Sequence, residues 1–148
     1  MMILVVMAVP WSSYYKSELN WSDAQGIAAF LAALSVLNCL SLLVRIQIIE
    51  GANTSFTDLK DYHVAMAVSA VANIFLWSGM AMWFVASDLH LSPFLCFFIA
   101  AAGALAHTLF HYWRWRNNKS TTTILLLAVY AAILTGIIWG YATGASFK

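Results

Sequence analysis

Two histidines and three cations stand at the end of one apolar stretch, Phe94 to Lys119, which reads FLCFFIAAAGALAHTLFHYWRWRNNK. On a helix, Gly103, His107, His111 and Arg114 fall at i, i+4, i+8 and i+11 and share one stripe. Imidazoles inside an apolar segment are costly unless they face protein, water or a ligand. The i, i+4 spacing projects both rings from one face and suits a metal or a haem. A zinc-protease helix carries an acid between its histidines, whereas Thr108, Leu109 and Phe110 stand here. Completing a metal shell would take His63 or Asp61 from the preceding apolar segment. The same imidazoles serve equally as hydrogen-bonded structural groups beside Tyr112 and Arg114, or as contacts to a small anionic molecule.

Arg114, Arg116 and Lys119 follow at once, interleaved with Trp113 and Trp115. This is the pattern of a basic, aromatic belt whose long side chains reach back to the membrane surface. It also suits recognition of a carboxylate or phosphate, on a ligand or on a lipid headgroup.

The elements that position these residues follow from composition. In 148 residues, 63% are hydrophobic and 9% charged, where a soluble chain carries about a quarter charged residues. The apolar residues gather into segments of about 20 or more, enough to cross a hydrocarbon core of about 30 Å. The expected class is an all-α integral membrane protein, a four-helix transmembrane up-and-down bundle in contact with the lipid bilayer. Its spans are expected at about 24–49, 62–87, 93–114 and 122–143. Asp23, after Ser22, offers a cap for the first, and Pro93 is placed to start the third. Residues 1–22, with Trp11, Tyr14, Tyr15 and Trp21, read as an interfacial arm, with a cleaved leader as the alternative; residues 23–148 form one domain. Near-zero net charge and scattered basic residues exclude nucleic acid as a partner. Cys39 and Cys96 both fall in apolar segments and read as small buried residues.

Lys and Arg set the expected orientation. Arg45, Lys60, Arg114, Arg116 and Lys119 lie by the first and third connections, against Lys16 and Lys148 opposite. Five against two predicts cytoplasmic 1–2 and 3–4 connections and both termini outside. Glu50, Asp58, Asp61 and His63 then share a membrane face with His107, His111 and Arg114. Asn20, Asn53 and Asn118 begin glycosylation-type triplets, a pattern of low specificity.

Two further features concern packing. Ala128, Ala132, Gly136, Gly140 and Gly144 recur at every fourth position of the last span, a spacing that lets helices approach closely in lipid. The approaching helix belongs either to the same bundle or to a second chain. Asn38 and Asn73 lie near the middle of their spans, where each amide needs a partner: the other amide, a nearby backbone group or a polar ligand.

Length, four spans, a longer polar first connection and a short basic third one resemble the MAPEG superfamily, the microsomal glutathione transferases and prostaglandin E synthases. The likeness covers about residues 24–143. It is sharpest in Gly103-Ala-Leu-Ala-His107-Thr108, followed by Lys119-Ser120, which is similar to the family's Gly-Arg-x-x-His-Thr and later Arg-Ser; Asn73 matches an Asn of the second helix. Ala104, Val71, Leu76 and His111 stand where the family has Arg, His, Glu and Tyr, and Lys119 replaces an Arg. The resemblance implies a homotrimer with sites between subunits, binding glutathione near the cytoplasmic face and a lipophilic substrate from the bilayer. It carries over His107, Thr108, Lys119, Ser120 and Asn73.

Two functions follow. One is a glutathione-dependent transferase or peroxidase in which Arg114, Arg116 and Lys119 lower the thiol pKa and Ser120 or Thr121 donates a hydrogen bond. The other is a non-catalytic small accessory subunit of a larger membrane complex, with a variant holding a metal or haem at His107 and His111.

Overall fold

A computed structural model of the chain describes residues 16–17, 21–51 and 57–144, and the side chains of these except 57–60 and 118. It contains four long helices: α1 (Asp23–Gly51), α2 (Thr57–Phe84), α3 (Pro93–Asn118) and α4 (Thr121–Ala142). All four are long and apolar enough to cross a membrane. The expected arm, with Trp11, Tyr14 and Tyr15, lies largely outside the described residues, as do Asn20 and Asn53.

The helix ends show which local signals prevailed. Ser22 and Gln25 bond reciprocally at the start of α1, Gln25 N donating to Ser22 Oγ at 3.2 Å and Ser22 N to Gln25 Oε1 at 3.1 Å. This is a capping box, so Ser22 is the cap. Asp23, expected in that role, instead pairs with Lys16 at 2.8 Å. The helical assignment of α2 ends at Phe84, three residues before the expected Ser87, and a turn carries the chain through His90. There His90 adopts φ 53°, while Leu91 N donates to Ala86 O at 2.9 Å and His90 N to Ser87 O at 3.5 Å. That pair of bonds is a Schellman closure, built on a histidine where glycine is usual. Pro93 opens α3 as expected. The helix runs four residues past Arg114 and closes at Lys119, whose φ is 45° and whose N–H reaches Trp115 O at 2.7 Å.

In backbone approach, α1 lies on α2, α2 on α3 and α3 on α4; among the described residues α1 approaches neither α3 nor α4. Gln25 meets Asp88, Ser35 meets Ile74 and Arg45 meets His63, so the α1–α2 contacts run in opposite order along the two helices. The tightest seam is between α2 and α3. A Cβ on Gly103 would stand 2.7 Å from Ala72 O, and one on Gly79 would stand 2.7 Å from Ala100 Cα. No side chain larger than hydrogen fits either site, and the backbones touch there. Leu76, Trp83, Cys96, Ala100, Ala104 and Ile137 form the core where α2, α3 and α4 converge.

The small-residue stripe of α4 is largely turned out of this core. Ala128, Ala132 and Gly136 are exposed, and nothing lies within 4 Å of a Cβ placed on Gly136; Gly140 meets Trp83. Close packing within the chain is therefore the work of Gly79 and Gly103. Large apolar side chains such as Leu37, Leu43, Leu125 and Trp139 are exposed, as lipid-facing helices require.

Candidate functional site

The stripe read from the sequence faces inward. Gly103, Ala104, His107 and His111 are all buried and Arg114 is half-exposed. The two imidazoles are 2% and 4% exposed, with ring centroids 4.7 Å apart. Tyr130 of α4 lies against both, edge-on to His107 at 3.7 Å and stacked on His111 at 5.4 Å. Its hydroxyl donates to Asn73 Oδ1 of α2 at 3.2 Å. Three helices thus contribute Asn73, Tyr130, His107 and His111 to one polar group inside the apolar core. Nδ1 of His107 and Nδ1 of His111 are both buried without a hydrogen-bond partner.

Tyr130 was not among the sequence-predicted residues, and Tyr112, expected to support the histidines, is exposed. The missed signal was depth. Tyr130 lies nine residues into α4 from Thr121, while His111 and His107 lie seven and eleven residues back from Asn118. Neighbouring helices joined by a two-residue turn bring these positions to one level. Which of the aromatic residues faced inward was decided by the rotation of α4 about its axis.

The central asparagines bond separately. Asn38 Nδ2 donates to Leu34 O of its own helix at 2.8 Å, and Asn73 takes the Tyr130 hydroxyl. Thr108 likewise turns back on its helix, donating to Ala104 O at 2.8 Å.

The four-residue metal set His107, His111, His63 and Asp61 is not assembled. His63 Nδ1 accepts from Arg45 Nη1 at 3.0 Å, beside Tyr62, and Asp61 is exposed. The reason is angular. His63 precedes Ala72, whose carbonyl faces α3, by nine residues, about two and a half helical turns, and so projects from the other side of α2. Among the described residues no three His, Cys, Asp or Glu side chains come together. The Arg45–His63 pair was itself missed as a unit, because it joins two helices across eighteen residues.

The expected anion-binding residues divide into two groups. Asn73 and His107 meet around Tyr130. Arg116, Lys119 and Ser120 are exposed at the far end of α3, and Ser120 caps α4 through no side-chain bond. Lys119 is twelve residues from His107, about 18 Å along the helix. Grooves lined by described residues include one of ≈ 450 Å³ between α1 and α2 by Gln25 and Asp88, and one of ≈ 360 Å³ over Ala72 and Gly103. Both are lined chiefly by apolar side chains, and neither includes a predicted site residue. Comparison with protein-family models, curated proteins and solved structures finds no match for this chain.

Proposed function

We propose that this protein is a non-catalytic small subunit of a larger membrane assembly, its four helices crossing the bilayer up and down. Its first and third connections then face the cytoplasm and its termini lie outside. The observation that carries this reading is the outward face of α4. Ala128, Ala132 and Gly136 form an open, shallow surface that no other part of the described chain covers. In lipid, such a surface gains most from another helix, because close backbone approach restores dispersion contacts that mobile acyl chains supply less well. Arg114, Arg116 and Lys119 then serve as the basic anchor at the headgroups.

A second reading is favoured by one observation, the meeting of Asn73 and His107 around Tyr130. These two belong to the set carried over by the MAPEG resemblance. In that reading the chain forms a homotrimer, and a neighbouring copy brings cations toward the Asn73–His107 group so that glutathione binds between subunits.

Native mass spectrometry of the detergent-extracted protein, with glutathione titrated in, separates the two. Extraction in fixed stoichiometry with unrelated subunits and indifference to glutathione are the expected results. A homotrimer that gains glutathione, and loses it in Lys119→Ala, overturns the subunit reading in favour of the enzyme.

A further inference from the structure

We propose that the groove between α1 and α2 holds one acyl chain of a phosphatidylethanolamine, with the lipid's primary ammonium on Asp88. The site lies within one chain and does not depend on the subunit reading. The groove exists because the residues that face each other there are small. Ala28, Ala29 and Ala32 of α1 and Ala81 of α2 leave a furrow of ≈ 450 Å³, flanked by Met82. Its length suits one leaflet of the bilayer. From the start of α1 at Asp23 to Ala32 is about 14 Å along the helix, against about 15 Å for half the hydrocarbon core. An unfilled furrow forfeits dispersion contacts along both walls. An extended peptide in it would bring N–H and C=O groups that these apolar walls cannot satisfy. An acyl chain lying along the helices fills it without that cost.

The headgroup follows from the charge at the mouth. Asp88 lies in the turn after α2 and Gln25 near the start of α1, so both stand at the headgroup end of the groove. Asp88 Oδ2 accepts from Gln25 Nε2 at 3.4 Å and Oδ1 accepts from Ser87 Oγ at 3.4 Å. Both bonds are long and both donors are neutral. Among the described residues no cation is paired with Asp88, whereas Lys16 engages Asp23 at this end of the chain. A carboxylate has about four acceptor positions, so Asp88 retains room for a charged donor, the kind that makes the stronger hydrogen bond. Its charge repels an anionic headgroup. A choline nitrogen carries positive charge but no N–H to donate. Ethanolamine supplies both the charge and three N–H donors.

The test uses the full-length protein in nanodiscs of equal phosphatidylethanolamine and phosphatidylcholine, with retained lipid counted by native mass spectrometry. One phosphatidylethanolamine per chain is expected, enriched over phosphatidylcholine by up to about fivefold, the discrimination available to one exposed ion pair. Asp88→Asn keeps an acceptor for Gln25 and is expected to retain lipid without preference. Ala32→Trp fills the groove from an exposed position and is expected to lose the retained lipid while its circular dichroism stays helical. Photo-crosslinking of the wild-type protein with a phosphatidylethanolamine carrying a diazirine on its acyl chain gives a readout independent of the variants. Label is expected in residues 28–32 and 81–85. Equal retention of the two lipids, preference that survives Asp88→Asn, retention that survives Ala32→Trp, or label absent from both segments overturns the proposal. So does enrichment of phosphatidylglycerol when it is added as a third lipid.

Discussion

Replacing Gly103 by alanine tests the close approach of α2 and α3 on which the buried polar group depends. The added Cβ would stand 2.7 Å from Ala72 O and 2.8 Å from Leu76 Cα, with Leu76 N nearer still. Ordinary contact begins near about 3.5 Å, so the helices have to part by about 1 Å. All the obstructing atoms are backbone, so no side chain can swing aside. Overpacking of this kind costs about 1–3 kcal/mol. A gap of about 1 Å also forfeits up to half of each lost contact along the seam, where Leu76, Ala100 and Ala104 pack. Alanine's better helix propensity returns about 1 kcal/mol. The net expectation is a loss of about 2 kcal/mol. Gly136→Ala is the internal control. Nothing in the chain lies within 4 Å of its new methyl group, so in the isolated chain, freed of any partner helix, it keeps only the propensity gain of up to about 1 kcal/mol. Unfolding in mixed micelles by a denaturing detergent, followed by circular dichroism, measures both. Gly103→Ala matching or exceeding Gly136→Ala in stability would refute the close seam.

Two further substitutions probe the buried polar contacts. Tyr130→Phe removes the donor to Asn73 and is expected to cost about 0.6 kcal/mol, the average for hydrogen bonds between membrane helices, and no more than about 1.7 kcal/mol. A double-mutant cycle with Asn73→Leu should return that coupling, and a value of zero means the two side chains do not interact. At the α1–α2 end, His63→Gln preserves an acceptor for Arg45, whereas His63→Leu leaves a guanidinium whose Nε is already buried without a partner. The Leu variant should be less stable than the Gln variant by about 1.5–3 kcal/mol; equal stabilities in the same unfolding assay would show that the contact contributes nothing.

How much of this was written in the chain differs from feature to feature. The four helices were legible because their lengths and apolar content are set by bilayer thickness, and Pro93 acts through its own ring. The inward stripe of Gly103, His107 and His111 was legible because helical periodicity alone puts those residues on one face. The start of α1 was misjudged between adjacent residues, since Ser22 and Asp23 are both good caps and only Ser22 has Gln25 three residues on. Tertiary structure alone decided the partners. Periodicity says that residues share a face and is silent on what that face meets. Hence the α4 stripe, with the spacing of a packing seam, remains open, and Gly79 and Gly103 carry the close approach. Hence also Tyr130 joins the histidines, His63 turns to Arg45, and Lys119 stays about 18 Å from His107. Sequence fixes the angle of each residue about its own helix; the rotation and depth of one helix against the next are settled by the sum of contacts between them.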